Sequence, residues 1–150
     1  MRKFNVILLF SAMLTLLVLD SCDKGGDDPE SERDKIVAAL AGTWTIDAAN
    51  STFGTGIDDA STNATFTETT FTFTGDIVTY VSGGSYSISE EGAFGSVAVT
   101  LVPTDISLSG TPTVAINAAF DTVTVTFSVV ESSGGRLEGV GSYSLIFKKQ

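Results

Sequence analysis

Thr122-Val123-Thr124-Val125-Thr126-Phe127-Ser128-Val129-Val130 decides the fold class of this chain. In an extended backbone successive side chains point to opposite faces. Val123, Val125, Phe127 and Val129 therefore share one face, and Thr122, Thr124, Thr126 and Ser128 share the other. One side suits a core and the other suits water, which is the signature of an antiparallel sheet solvated on one face.

The pattern extends outward in both directions. Val140 to Lys148 sets Tyr143, Leu145 and Phe147 against Ser142, Ser144 and Lys148. Upstream, short apolar-polar runs separated by Gly, Asp, Ser and Pro predict strands at Thr43 to Ala48, Ala64 to Thr74, Ile77 to Val81, Ser85 to Ser89, Ser96 to Val102 and Thr113 to Asn117. Gly75-Asp76 and Gly83-Gly84 are read as hairpin turns, since both dipeptides tolerate positive φ. Phe66 is out of phase with Phe71 and Phe73, so a β-bulge near Thr69 is expected. Before the first strand, Ser31-Glu32-Arg33-Asp34 resembles a capping box, and Ile36, Val37 and Leu40 follow at helical spacing before Gly42. The expected domain, residues 35–150, is all-β: an eight-stranded antiparallel up-and-down barrel behind one short helix. A two-sheet β-sandwich is the alternative.

The N-terminus carries an address. Arg2 and Lys3 precede Phe4 to Leu19, sixteen residues of which only Asn5, Ser11 and Thr15 are polar. Such a run predicts a signal peptide over residues 1–21. As a helix it would span about 24 Å, short of a hydrocarbon core about 30 Å thick. Leu19-Asp20-Ser21-Cys22 ends it, and Cys22 is the only cysteine in the chain. This resembles the lipobox of bacterial lipoproteins, which implies acylation (palmitate or a related chain) at Cys22. The implied location is the outer membrane, lipid-anchored and exposed to the cell surface or to the periplasm. Residues 22–34 hold no large apolar side chain and read as a flexible acidic tether. Asp27-Asp28 within it resembles the export signals of surface lipoproteins.

Charge and composition remove several functional classes. From Ile36 on, three basic residues face eleven acidic ones, a balance of −8. Nucleic acid is an unfavourable partner for that field. The chain has no histidine, which removes the usual near-neutral general base and the commonest zinc ligand. With Cys22 acylated, no thiol remains for catalysis. Asp58-Asp59 and Glu90-Glu91 lie near loop glycines but lack the ligand ladder of a calcium loop. No enzyme activity, metal or cofactor is expected. Asp121-Thr122-Val123 resembles a short O-glycosylation site of exported bacterial proteins.

Leu40-Ala41-Gly42-Thr43-Trp44, a helix turning into a strand through Gly-x-Trp, resembles the opening of the lipocalins and wider calycin barrels. Phe71-Thr72-Phe73, Gly84-Ser85-Tyr86-Ser87-Ile88 and Gly139 to Lys148 are similar to small lipocalin-like domains behind lipoprotein signals. The resemblance implies that Trp44 packs across a closed barrel end near a basic side chain, for which Arg136 is the candidate. It also implies a small hydrophobic ligand inside the barrel. The inward positions that would line its site are Phe71, Phe73, Tyr86, Val99, Val125, Phe127, Tyr143 and Leu145; each is equally a core position. Glu68 shares the phase of Phe66 and could be an inward carboxylate or a surface residue. The alternative function is an interaction module, a packed barrel that contacts protein or glycan through loops 49–63, 89–95 and 103–112, with Phe53 and Phe94 as their aromatics.

Overall fold

The computed structural model describes residues 29–57, 61–133, 135 and 138–150. The signal peptide, Cys22, most of the tether, Asp58-Asp59 and Arg136 therefore lie outside the described residues. Ser31–Gln150 forms a compact unit with its own core.

Helix α1 (Glu32–Leu40) starts where the sequence places it: the Ser31 hydroxyl accepts a hydrogen bond from the Asp34 amide at 3.1 Å. That cap satisfies one of the unpaired N–H groups of the first turn. Ile36 and Leu40 are buried on its inner face. Eight strands follow: β1 (Gly42–Ile46), β2 (Asn63–Phe66), β3 (Thr70–Thr74), β4 (Val81–Ile88), β5 (Phe94–Leu101), β6 (Ile106–Ile116), β7 (Thr122–Glu131) and β8 (Gly141–Lys149). They make one antiparallel sheet in the order β5-β4-β3-β2-β1-β8-β7-β6. The sheet curls into a nearly closed barrel whose seam lies between its two edge strands, β5 and β6. A sandwich would need two sheets. α1, the β2–β3, β4–β5 and β6–β7 turns and the C-terminus all lie at one end of this barrel, called here the helix end.

The register of β7 and β8 is the one the alternation dictates: Val123 pairs Phe147, Val125 pairs Leu145 and Phe127 pairs Tyr143, all facing the core. Elsewhere the strand count is right for compensating reasons. Ala64 to Thr74 is a hairpin of two strands and not one bulged strand. Thr67 and Thr70 close its turn through a backbone bond of 2.9 Å and hydroxyl contacts. Phe66 then lies directly opposite Phe71 and both are buried, which resolves the phase conflict without a bulge.

The expected strand at Ile77 to Val81 is instead a 3₁₀ turn over Asp76–Thr79 that seats Ile77 in the core. Gly75 leads into that turn, so Gly75-Asp76 is no hairpin. Gly83-Gly84 is not a turn either, because both residues lie inside β4. Gly83, at φ +146°, has Thr72 Cα within 2.8 Å of where its Cβ would be, so only glycine lets β3 and β4 approach there. On the far side of the sheet, the segment read as loop 103–112 is largely strand, since β6 begins at Ile106 and bulges at Ser109/Thr113.

Candidate functional site

The eight residues expected to line a ligand cavity are brought together, but in contact with one another. All are buried, none more than 9% exposed. Phe127 stacks on Tyr143 at 4.4 Å between centroids, Phe71 on Tyr86 at 6.3 Å, and Phe73 on Phe147 at 5.8 Å. Phe66 touches Trp44, Phe71, Tyr86 and Phe147. Val99, Val125 and Leu145 complete the same cluster. Such ring pairs contribute about 0.5–1.5 kcal/mol each beyond their buried area.

The phenols in this cluster are already committed. Tyr143 donates to the Gly139 carbonyl at 2.7 Å, and Tyr86 donates to the Thr67 carbonyl. Burial, with the Glu68 carboxylate nearby, raises the Tyr86 pKa to about 12; burial, with Tyr80 as the lesser cause, pushes Tyr143 higher still. Both phenol protons are therefore engaged within the fold.

At the barrel end, the expected Trp44 has Lys149 as its basic neighbour among the described residues; Arg136, the expected candidate, lies outside them. Trp44 is fully buried and donates its indole N–H to the Leu40 carbonyl at 2.8 Å. Lys149, the last residue of β8, lies over the indole face, Nζ at 5.7 Å from the ring centroid, and donates to the Ala39 carbonyl at 2.8 Å. One ammonium thus serves a cation–π contact and an unpaired carbonyl near the C-terminus of α1. The register Trp44↔Lys149 puts it there. A lysine on the closing strand was the signal available.

Glu68 is not an inward carboxylate. It is exposed in the β2–β3 turn and forms an ion pair with Arg33 of α1. Among the described residues, no group of three or more histidine, cysteine, aspartate or glutamate side chains converges to hold a metal ion. Asp47 is held below its ordinary value by Lys148, with Asn50 assisting, and Asp121 by Asn117 and Thr122. The hydroxyl of Thr122, the residue flagged for O-glycosylation, donates to Asp121 at 2.9 Å. These carboxylates are structural partners of turns and strand ends.

An open cleft lies at the seam. A cleft of about 340 Å³ is bounded by Phe94, Gly95, Ser96 and Val97 of β5 and by Thr111, Pro112, Thr113 and Val114 of β6. Among the described residues no ladder joins these strands. Both strands bend at this level. Ser96 sits at φ +47°, next to a register shift against β4. In β6, Gly110 sits at φ +79° and the pairing with β7 slips between Ser109 and Thr113. Pro112 contributes no N–H to an edge. A non-glycine residue in the left-handed region costs about 1–3 kcal/mol, and register shifts of this kind bend the strands that carry them. The alternation that reveals strands does not reveal where two of them separate; Gly110 and Pro112 were the cue, and they read as a loop.

Comparison with known proteins finds no matching family model, no matching curated protein and no matching solved structure.

Proposed function

We propose that this protein is a lipid-anchored outer-membrane lipoprotein whose lipocalin-like barrel is a non-catalytic binding module for a small hydrophobic molecule. The ligand site is the β5/β6 seam rather than the barrel axis. The cleft bounded by Phe94, Val97, Pro112 and Val114 carries this reading. Its volume falls at the lower end of the roughly 300–1,000 Å³ typical of small-molecule sites, and apolar walls rimmed by a few hydroxyls are the usual lining. Ser96, Thr111 and Thr113 supply the hydroxyls. The aromatic packing of the interior supports placing the ligand outside it. The anchor rests on Leu19 to Cys22 and the apolar run before it.

Two measurements test the proposal. Mass spectrometry of the chain expressed in a Gram-negative host is expected to find an acylated Cys22 as the mature N-terminus, lost in Cys22→Ser; an unmodified cysteine defeats the anchor. The Ser31–Gln150 unit, which holds the whole core, is expected to take up the neutral probe N-phenylnaphthylamine with a fluorescence rise. Thr113→Trp, which fills the cleft from an exposed position, is expected to abolish uptake without altering the circular dichroism spectrum. Undiminished uptake by a folded Thr113→Trp variant defeats the seam site.

A further inference from the structure

We infer that the seam selects a cationic amphiphile: an apolar body lying between β5 and β6 and a protonated amine or quaternary ammonium over the acidic β4–β5 turn. This rests on the seam being the ligand site, as proposed above.

The argument begins with how basic residues are distributed. None of the hundred residues from Ile36 to Gly135 is Lys or Arg, while ten are Asp or Glu. Every strand from β1 to β7 and every turn between them is thus without a cation. The basic side chains of α1 and β8 are committed elsewhere: Arg33 to Glu68, Lys35 to Glu32, Lys148 to Asp47, and Lys149 to the Ala39 carbonyl and Trp44. In the sheet, two strands, β7 and β6, separate β8 from the seam. No cation of the described residues lies on the strands that border the cleft.

Acids, by contrast, lie in the turns at this end of both bordering strands. The cleft occupies the helix-end half of the seam. Phe94, which lines it, follows directly on the Ser89–Ala93 turn that carries Glu90 and Glu91, both exposed. On the other side β6 ends in the Asn117–Asp121 turn, whose Asp121 is held ionised by Asn117 and Thr122, with Lys148 of β8 as a lesser electrostatic partner. Glu91 is likewise held below its ordinary value by hydrogen bonds from its own backbone and from Ser89. The walls themselves carry no charge. A ligand therefore meets an uncharged apolar slot beside the exposed acidic β4–β5 turn, with Asp121 at the other edge partly balanced by Lys148. That field attracts an ammonium head and repels a carboxylate or sulfate head on the same apolar body.

The test is a competition series against bound N-phenylnaphthylamine with decyltrimethylammonium, decanol and decanoate, which share a chain length and differ in head-group charge. The expected order of displacement is cation, then alcohol, then carboxylate. Cation and alcohol should differ by roughly three- to tenfold at low salt, and the difference should shrink as ionic strength rises. The double variant Glu90→Gln, Glu91→Gln is expected to reduce the preference for the cation while leaving decanol unchanged. Decanoate displacing the probe as well as the cation overturns the inference, as does a preference that survives both high salt and the double variant. Failure of the probe itself to bind overturns the seam site, a different result from any change in the order of displacement.

Discussion

Replacing Phe66 with alanine tests whether the barrel axis is a packed core. Phe66 is 1% exposed, and its ring lies within about 6.5 Å, centroid to centroid, of Trp44, Phe71, Tyr86 and Phe147. Deleting it removes the transfer energy of the ring and leaves a void that four surrounding rings, each held by further neighbours, can only partly fill. Phe→Ala changes at such sites cost about 3–5 kcal/mol. For a domain of this size a loss of 4 kcal/mol lowers Tm by roughly 15 °C. Urea unfolding followed by the fluorescence of Trp44, the only tryptophan in the chain, reads it as a shift in midpoint at unchanged slope. The void should also admit benzene, with partial recovery of Tm. A loss below about 1.5 kcal/mol, with no response to benzene, would mean that the ring already borders open space, and the case for moving the ligand site to the seam would fail.

Lys149→Met keeps the aliphatic stem over the indole and removes the exposed ammonium; it should cost about 0.5–1 kcal/mol and alter the Trp44 emission, and an unchanged spectrum would place Lys149 away from the ring. Thr62 is fully buried and its hydroxyl has no hydrogen-bond partner among the described residues, so Thr62→Val should be neutral or stabilising by up to about 1 kcal/mol in thermal unfolding; a clear loss would reveal a partner for that oxygen. With no histidine, stability should be nearly flat from pH 5 to 9. Above pH 10 the unfolded tyrosines ionise while Tyr86, at about 12 in the fold, and the still higher Tyr143 keep their protons. The folded state then binds more protons, and stability falls as pH rises through this window. Tyr143→Phe should flatten the alkaline limb, and an unchanged limb would contradict the burial of that phenol.

The parts of the fold legible in the sequence are those fixed by local rules. Ser31 and Asp34 state the helix start through a side-chain bond three residues long. Thr122 to Val130 and Gly141 to Lys149 state their faces because a two-residue period admits one solution when one face is buried. Ala64 to Thr74 misleads because the hydroxyls of Thr67, Thr69 and Thr70 suit a strand face and a tight turn equally well. Tertiary bonding selects the turn, through Tyr86 reaching the Thr67 carbonyl and Arg33 reaching Glu68. Ile77 to Val81 looks like a strand by composition, but Gly75 at φ +88° and the Tyr80–Ile77 backbone bond curl it into a 3₁₀ turn. The candidate site was less legible than the fold. Inward positions can be counted from alternation, yet whether facing rings leave space depends on curvature and ring orientation, which no periodicity encodes.

The seam poses its own physical problem. An open edge in an eight-stranded sheet presents unpaired N–H and C=O groups that invite pairing with another chain. Here the two edges face each other, β6 carries Pro112 where an N–H would otherwise offer itself, and both strands kink at the same height. Had β5 and β6 zipped along their whole length, the barrel would be closed and those edges would vanish with no cost in strain. The register slips in β6 and at Ser96 lie beside the gap, at a position where the adjoining walls are uncharged. A defect confined to folding would be expected to expose polar backbone at random along the seam. The cleft lies in the stretch of the seam lined by Phe94, Val97, Pro112 and Val114. Replacing Gly110 with alanine strains the φ +79° conformation that the slip requires. If the gap is maintained by that slip, Gly110→Ala should lower affinity for the neutral probe more than it lowers Tm. A variant that loses stability and retains full affinity would place the control of the gap elsewhere.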